Sequence, residues 1–155
     1  MKKNTREAIV VIVIIMIGTV CFIAAETALE WAENHTHGNY DYALSTTIPS
    51  GEVMDVPDGM VYIAATVMIK NIDWHNGLSG DPSYFRLDAG GEGYPVDDAT
   101  YDRPLYHSPA TYLPGEQGQN LFLYLVPSDT DLAAAHITYT GPVRVAYAPG
   151  LLSET

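Results

Sequence analysis

Cysteine is nearly missing from this chain: of 155 residues only Cys21 carries a thiol, so no disulfide can close within one molecule. Any folded part must rest on its own apolar core, and the roughly 115–125 residues beyond the first thirty or so are enough to form one. Basic residues are scarce too, seven against nineteen acidic ones. Lys2, Lys3 and Arg6 stand at the start. After residue 25, only Lys70, Arg86, Arg103 and Arg144 face eighteen acids, a net charge of −14. Such a surface repels phosphate backbones and anionic headgroups, which argues against nucleic-acid binding. The short signatures of catalysis are also lacking. There is no nucleophile elbow, no H-E-x-x-H pair and no glycine-rich phosphate loop, and Gly90-Gly91-Glu92-Gly93 reads as a hairpin turn. No enzyme is expected.

Long hydrophobic runs are absent with one exception. Residues 8–25 read AIVVIVIIMIGTVCFIAA, eighteen in a row without a charge. As a helix this run is roughly 27 Å long, near the thickness of a bilayer's hydrocarbon core of about 30 Å. Its β-branched residues favour a strand in water, but in lipid a helix pairs every backbone group internally. Lys2, Lys3 and Arg6 before the run, and Glu26, Glu30 and Glu33 after it, predict residues 1–7 in the cytoplasm and everything beyond 25 outside.

Three rival readings are weighed against this anchor. A cleaved signal peptide wants small residues at −3 and −1, yet cutting after Ala25 or Ala24 puts Ile23 or Phe22 at −3. A lipoprotein would use Cys21, with Thr19 and Val20 before it. A pilus-like or archaellum-like filament subunit also joins an apolar helix to a β-rich head, but its basic-Gly or basic-Ala processing site is replaced here by Arg6-Glu7-Ala8. Residues 26–34 extend the helix-forming pattern, and residues up to 41 read as linker. Asn34-His35-Thr36 forms a glycosylation sequon at Asn34.

Beyond the linker the period is two. In residues 60–70 (MVYIAATVMIK), Val61, Ile63, Ala65, Val67 and Ile69 fall on one wholly aliphatic face, the pattern of a half-buried strand. Residues 84–88 alternate in the same way, turn at 89–93 and return at 94–96. Residues 119–126 (QNLFLYLV) are apolar on both faces, which predicts a central strand that Pro127 stops. Residues 136–140 and 143–147 are expected to pair across Gly141-Pro142, and 42–47 and 52–56 to supply the first two strands. Seven to nine short strands with turn signals between them predict an immunoglobulin-like antiparallel β-sandwich over 42–149, with a tail at 150–155.

The strand ending Val67-Met68-Ile69-Lys70-Asn71 is followed by Tyr84-Phe85-Arg86-Leu87-Asp88, a glycine-rich turn and Tyr94. Then come Leu113-Pro114-Gly115-Glu116 and the run from Leu121 to Pro127. This series resembles the telokin-like immunoglobulin-fold family, domains of unknown function on secreted, lipid-anchored or membrane-anchored microbial proteins. The resemblance covers about 42–147 and implies fold and extracytoplasmic setting, with no catalytic residue carried over.

Three candidate sites follow from residue type. Asp88, Glu92, Asp97, Asp98 and Asp102 gather in one loop-rich stretch. Carboxylates at that density could hold calcium, although their spacing does not fit an EF-hand and a solvated acidic loop is the plainer alternative. His35 and His37 form an H-x-H pair that could share a transition metal or merely space a linker. Aromatic residues on loops offer large contact area at low entropic cost. Tyr94, Tyr101, Tyr106 and Tyr112, among Pro95, Pro104 and Pro109, are therefore candidates for partner contact, with Trp74 as a further one. The expected function is a membrane-anchored binding module for a surface protein, a glycan or another envelope component.

Overall fold

The computed structural model describes residues 16, 17, 19–21, 35–48, 54–102 and 111–154. The chain divides into two compact units, Met1–His35 and Thr36–Thr155. In the first, residues 16, 17 and 19–21 are helical, with Met16, Ile17, Val20 and Cys21 exposed. The rest of the expected 8–25 span lies outside the described residues, as do 1–7 and Asn34. Among the described residues, no helix is long and apolar enough to cross a membrane.

The second unit is all-β. Its strands are β1 (Thr36–Ser45), β2 (Met60–Asn71), β3 (Leu78–Ser79), β4 (Phe85–Ala89), β5 (Glu92–Pro95), β6 (Thr111–Tyr112), β7 (Gln117–Pro127), β8 (His136–Tyr139) and β9 (Arg144–Tyr147). One sheet has the order β7-β2-β1-β9, another β5-β4-β8, and β3 with β6 forms a two-residue ladder. All pairs are antiparallel except β1 with β9, which is parallel.

The period-two face of β2 is the inner face. Ile63, Ala65, Val67 and Ile69 are buried in one cluster with Phe122, Tyr124 and Val126 of β7, Tyr40 of β1, Phe85 and Leu87 of β4 and Ile137 of β8. Side chains from the two larger sheets thus interdigitate, and Phe85 meets Phe122 with ring centroids 5.2 Å apart. Each large apolar side chain removed from water here stabilises the fold by about 1.5–3 kcal/mol. The β4–β5 hairpin turns on Gly90 and Gly91, at φ 59° and 86°, the pair of positive φ values that a two-residue turn of this twist demands.

Four expectations change. First, β7 is an edge strand rather than a central one. Its second apolar face is covered not by another sheet but by residues outside the strands: Leu123 and Ala64 are buried against Ile48, Met54 and Ala99, with Tyr62 of β2 beside them. The edge itself is closed at Leu123, whose carbonyl accepts from Asp97 N (2.7 Å) and whose N–H donates to Thr100 Oγ1 (2.9 Å). An open edge would be a template for pairing with another chain, and this loop blunts it.

Second, β8 and β9 do not pair with each other. β8 adds to β4, whereas β9 crosses to the other sheet and lies along β1. The three bends at 141–143 carry the chain between sheets where a tight hairpin was expected.

Third, the first strand starts at Thr36, inside the expected linker, and of the second expected strand, 52–56, residues 54–56 have no regular structure while 52 and 53 lie outside the described residues. Gly38 falls within the expected linker, but a Cβ there would run into Leu78 Cδ2 and lie 2.9 Å from the Lys70 carbonyl oxygen. The position needs glycine because two elements press on it.

Fourth, the C-terminal residues are not a loose tail. Leu151 is buried, and Asp41 Oδ2 accepts from Gly150 N (2.9 Å) and Leu152 N (3.1 Å), holding the final 3-10 turn Leu151–Glu154 against β1.

Candidate functional site

Among the described residues of the second unit, the most exposed large apolar side chain is Trp74, at 83%. It sits on the loop from β2 to β3, between residues that bind inward. Asn71, fully buried at the end of β2, donates its amide to the carbonyls of Asn76 (2.9 Å) and Tyr112 (2.8 Å) and accepts from Asp73 N (2.9 Å). The Asp73 carboxylate accepts from His75 N (2.8 Å), Asn76 N (3.2 Å) and Asn76 Nδ2 (3.2 Å), and it meets His37 Nδ1 at 2.5 Å. Asx side chains that bond the backbone two or three residues on are the ordinary means of fixing such turns.

Neighbouring segments lock the loop further. Ile72 N and Asp73 N both donate to the His37 carbonyl at 3.0 Å, so the start of β1 is tied to it. Asn71 N donates to the Glu116 carbonyl (2.8 Å), and Gly115 N to the Asn71 carbonyl (3.1 Å), which ties the β6–β7 turn to it. That turn has Pro114 at its second position and Gly115 at φ 82° at its third, closed by Glu116 N to the Leu113 carbonyl at 2.9 Å. A positive φ there is what a type II turn requires, and glycine adopts it without strain. A depression of about 420 Å³ lies between these segments, lined by Lys70, Ile72, Trp74, Pro114 and Gly115. Leu113 beside it is 59% exposed. The result is an apolar tip on a hydrogen-bonded base.

Electrostatics agree with a fixed base. The His75 N–H holds the Asp73 carboxyl well below the usual carboxylate range; burial opposes this, while Asn76 and His37 reinforce it. Asp73 is thus ionised and fully engaged throughout the physiological range.

The remaining sequence candidates scatter. Tyr101 is 42% exposed and follows the short 3-10 turn Asp98–Thr100. Tyr94 on β5 is half-buried and packs against the core. Tyr112 is a correction: it is 2% exposed on β6, and its hydroxyl accepts from Asn120 Nδ2 at 2.8 Å, so it builds the interior and presents no surface. Tyr106 lies outside the described residues.

The acidic stretch does not converge either. Asp88 on β4 is ion-paired with Arg86 (2.8 Å) and accepts from Thr138 Oγ1. Burial raises its carboxyl, but the Thr138 and Arg86 contacts outweigh burial and leave it below its ordinary value. Asp97 caps the 3-10 turn through Ala99 N (2.9 Å) and also accepts from the Tyr62 hydroxyl (3.2 Å). Asp98 and Asp102 are exposed. Among the described residues no group of three His, Cys, Asp or Glu is placed to hold a metal ion, so the calcium expectation for Asp88, Asp97, Asp98 and Asp102 finds no site. His37 of the H-x-H pair serves Asp73. Sequence reasoning missed the clasp of His37, Asn71, Asp73 and Asn76. The spacing of three Asx residues at 71, 73 and 76 was the signal that could have found it.

Compared with known protein families, curated proteins and solved structures, the chain has no match.

Proposed function

We propose that this chain is a non-catalytic, membrane-anchored binding module whose extracytoplasmic head engages an envelope component through the Trp74 tip. The observation that carries the reading is the pairing of extreme exposure with rigidity. A tryptophan 83% open to solvent stands on a loop clamped from three sides. An apolar contact residue held in place loses little entropy when it binds.

An immunoglobulin-like architecture of the telokin-like kind suits this role. The order β1-β2-β7 in one sheet against β5-β4-β8 in the other parallels strands A, B and E against C′, C and F of such sandwiches. β9 follows β8 as strand G follows F, but lies along β1. The anchor rests on the eighteen uncharged residues 8–25 and their basic N-terminal flank. The helical, exposed Met16, Ile17 and Val20 within that run are in keeping with it.

Fractionation of cells expressing the full chain tests the proposal. The protein is expected to stay with membranes through an alkaline carbonate wash, to leave with detergent, and to lose its head to protease added outside intact cells. Recovery of the unprocessed chain in the aqueous fraction overturns it, and recovery from sheared cells as polymers overturns it in favour of a filament subunit.

A further inference from the structure

The Trp74 tip lies at the pole where the chain joins the head. Ile72 and Asp73 bond the His37 carbonyl, and β1 begins at Thr36, so Trp74 stands one residue from a direct bond to the second residue of the domain. Between the apolar run, ending at residue 25, and Thr36 there are only ten residues. Fully extended they reach about 35 Å, and as a helix about 15 Å. A pole on so short a tether is kept near whatever surface holds the run.

The chemistry of the tip matches that surface. Tryptophan is the residue most at home at the headgroup boundary, where its ring is apolar and its indole N–H stays hydrated. Leu113 adds a second exposed apolar side chain, and Lys70 lines the depression beside Trp74 with a cation for a headgroup phosphate. The carboxylate nearest to Trp74 in sequence, Asp73, is turned inward and occupied by His37, His75 and Asn76. An exposed acid does stand at the pole, Glu116 of the Leu113–Glu116 turn, with its Oε2 accepting from Leu113 N at 2.7 Å; with the region beyond residue 25 at −14 overall, the matching surface is zwitterionic rather than anionic.

We infer that the Trp74–Leu113 pole docks on the lipid interface of the membrane that holds residues 8–25, seating the head on zwitterionic headgroups. The inference rests on the anchored reading above and specifies the envelope component as lipid.

The test uses the full chain with Trp31→Phe, which leaves Trp74 as the only tryptophan, reconstituted into phosphatidylcholine vesicles with or without brominated acyl chains. The expected result is co-flotation with the vesicles, a blue-shifted Trp74 emission, and a marked loss of that emission with brominated lipid. Leu113→Asp, at an exposed position, should weaken the quenching while leaving the thermal unfolding of the head in place. Replacing part of the phosphatidylcholine with phosphatidylserine should weaken it too, because the acidic head is repelled. Co-flotation with unquenched emission overturns lipid docking and leaves the anchor standing. Failure to float overturns both.

Discussion

Asp73 and Asp97 do the same local work and serve opposite ends. Each carboxylate accepts the N–H two residues ahead, from His75 in one case and Ala99 in the other. Around Asp97 the fixed loop folds back on the protein: Asp97 N and Thr100 Oγ1 occupy both backbone groups of Leu123, and Ala99 covers Leu123's outer face. Around Asp73 the fixed loop holds its next residue, Trp74, out into solvent. One turn hides a strand edge and the other displays an aromatic ring. The capping acid thus says where a loop is rigid, and its neighbours say whether that rigidity conceals or presents.

The largest expected effect comes from removing the base of the displaying loop. Asn71→Ala takes the side-chain donor from the buried Tyr112 carbonyl and removes the bonds to the Asn76 carbonyl and Asp73 N–H, the latter keeping the His37 carbonyl, and should cost about 1–3 kcal/mol in denaturant unfolding. An unchanged midpoint would mean that the clamp does not hold the loop. Next comes the concealing loop. Thr100→Val keeps the shape but takes the partner from Leu123 N–H, and should cost about 1–2 kcal/mol. It should also raise the tendency to self-associate, as light scattering would show, because an edge is reopened.

A smaller effect should appear in acid. The Asp73 carboxyl lies below its unfolded value of about 3.9, so the unfolded chain binds the proton first. The stabilisation from Asp73 is complete above that value and is lost as the pH falls below about 4. Thermal melts of the protein and of Asp73→Asn should differ at neutral pH and converge in acid; curves that stay parallel would exclude the linkage. The smallest effect is expected at the tip itself: Trp74→Ala should move stability by no more than about 0.5 kcal/mol, as exposed positions do. A large loss would show that the ring supports the loop rather than being displayed by it.

The sequence-based reading succeeded where the pattern is local. The inner face of β2 follows from alternation alone, and the β4–β5 hairpin follows from paired glycines. It failed where the deciding partner is distant in sequence. The apolar outer face of β7 looked like that of a central strand because Ile48, Met54 and Ala99, which cover it, come from loops far from 117–127. Gly38 read as a linker residue because nothing nearby announces that Leu78 and Lys70 press on it. Tyr112 read as surface because a two-residue strand leaves no period to detect. Of the candidate site, Trp74 was legible as a lone large aromatic in a polar loop, whereas His37 could be tied to Asp73 only once the fold brought them together.

The position of β1 carries a mechanical consequence. It is the strand that leads out of the head toward residue 35, and it lies between β2 on one side and β9 on the other. A pull transmitted through the preceding chain would load both ladders in shear, so that many hydrogen bonds must yield together instead of parting one after another. A head tugged from that end should therefore resist force well beyond what its modest core suggests.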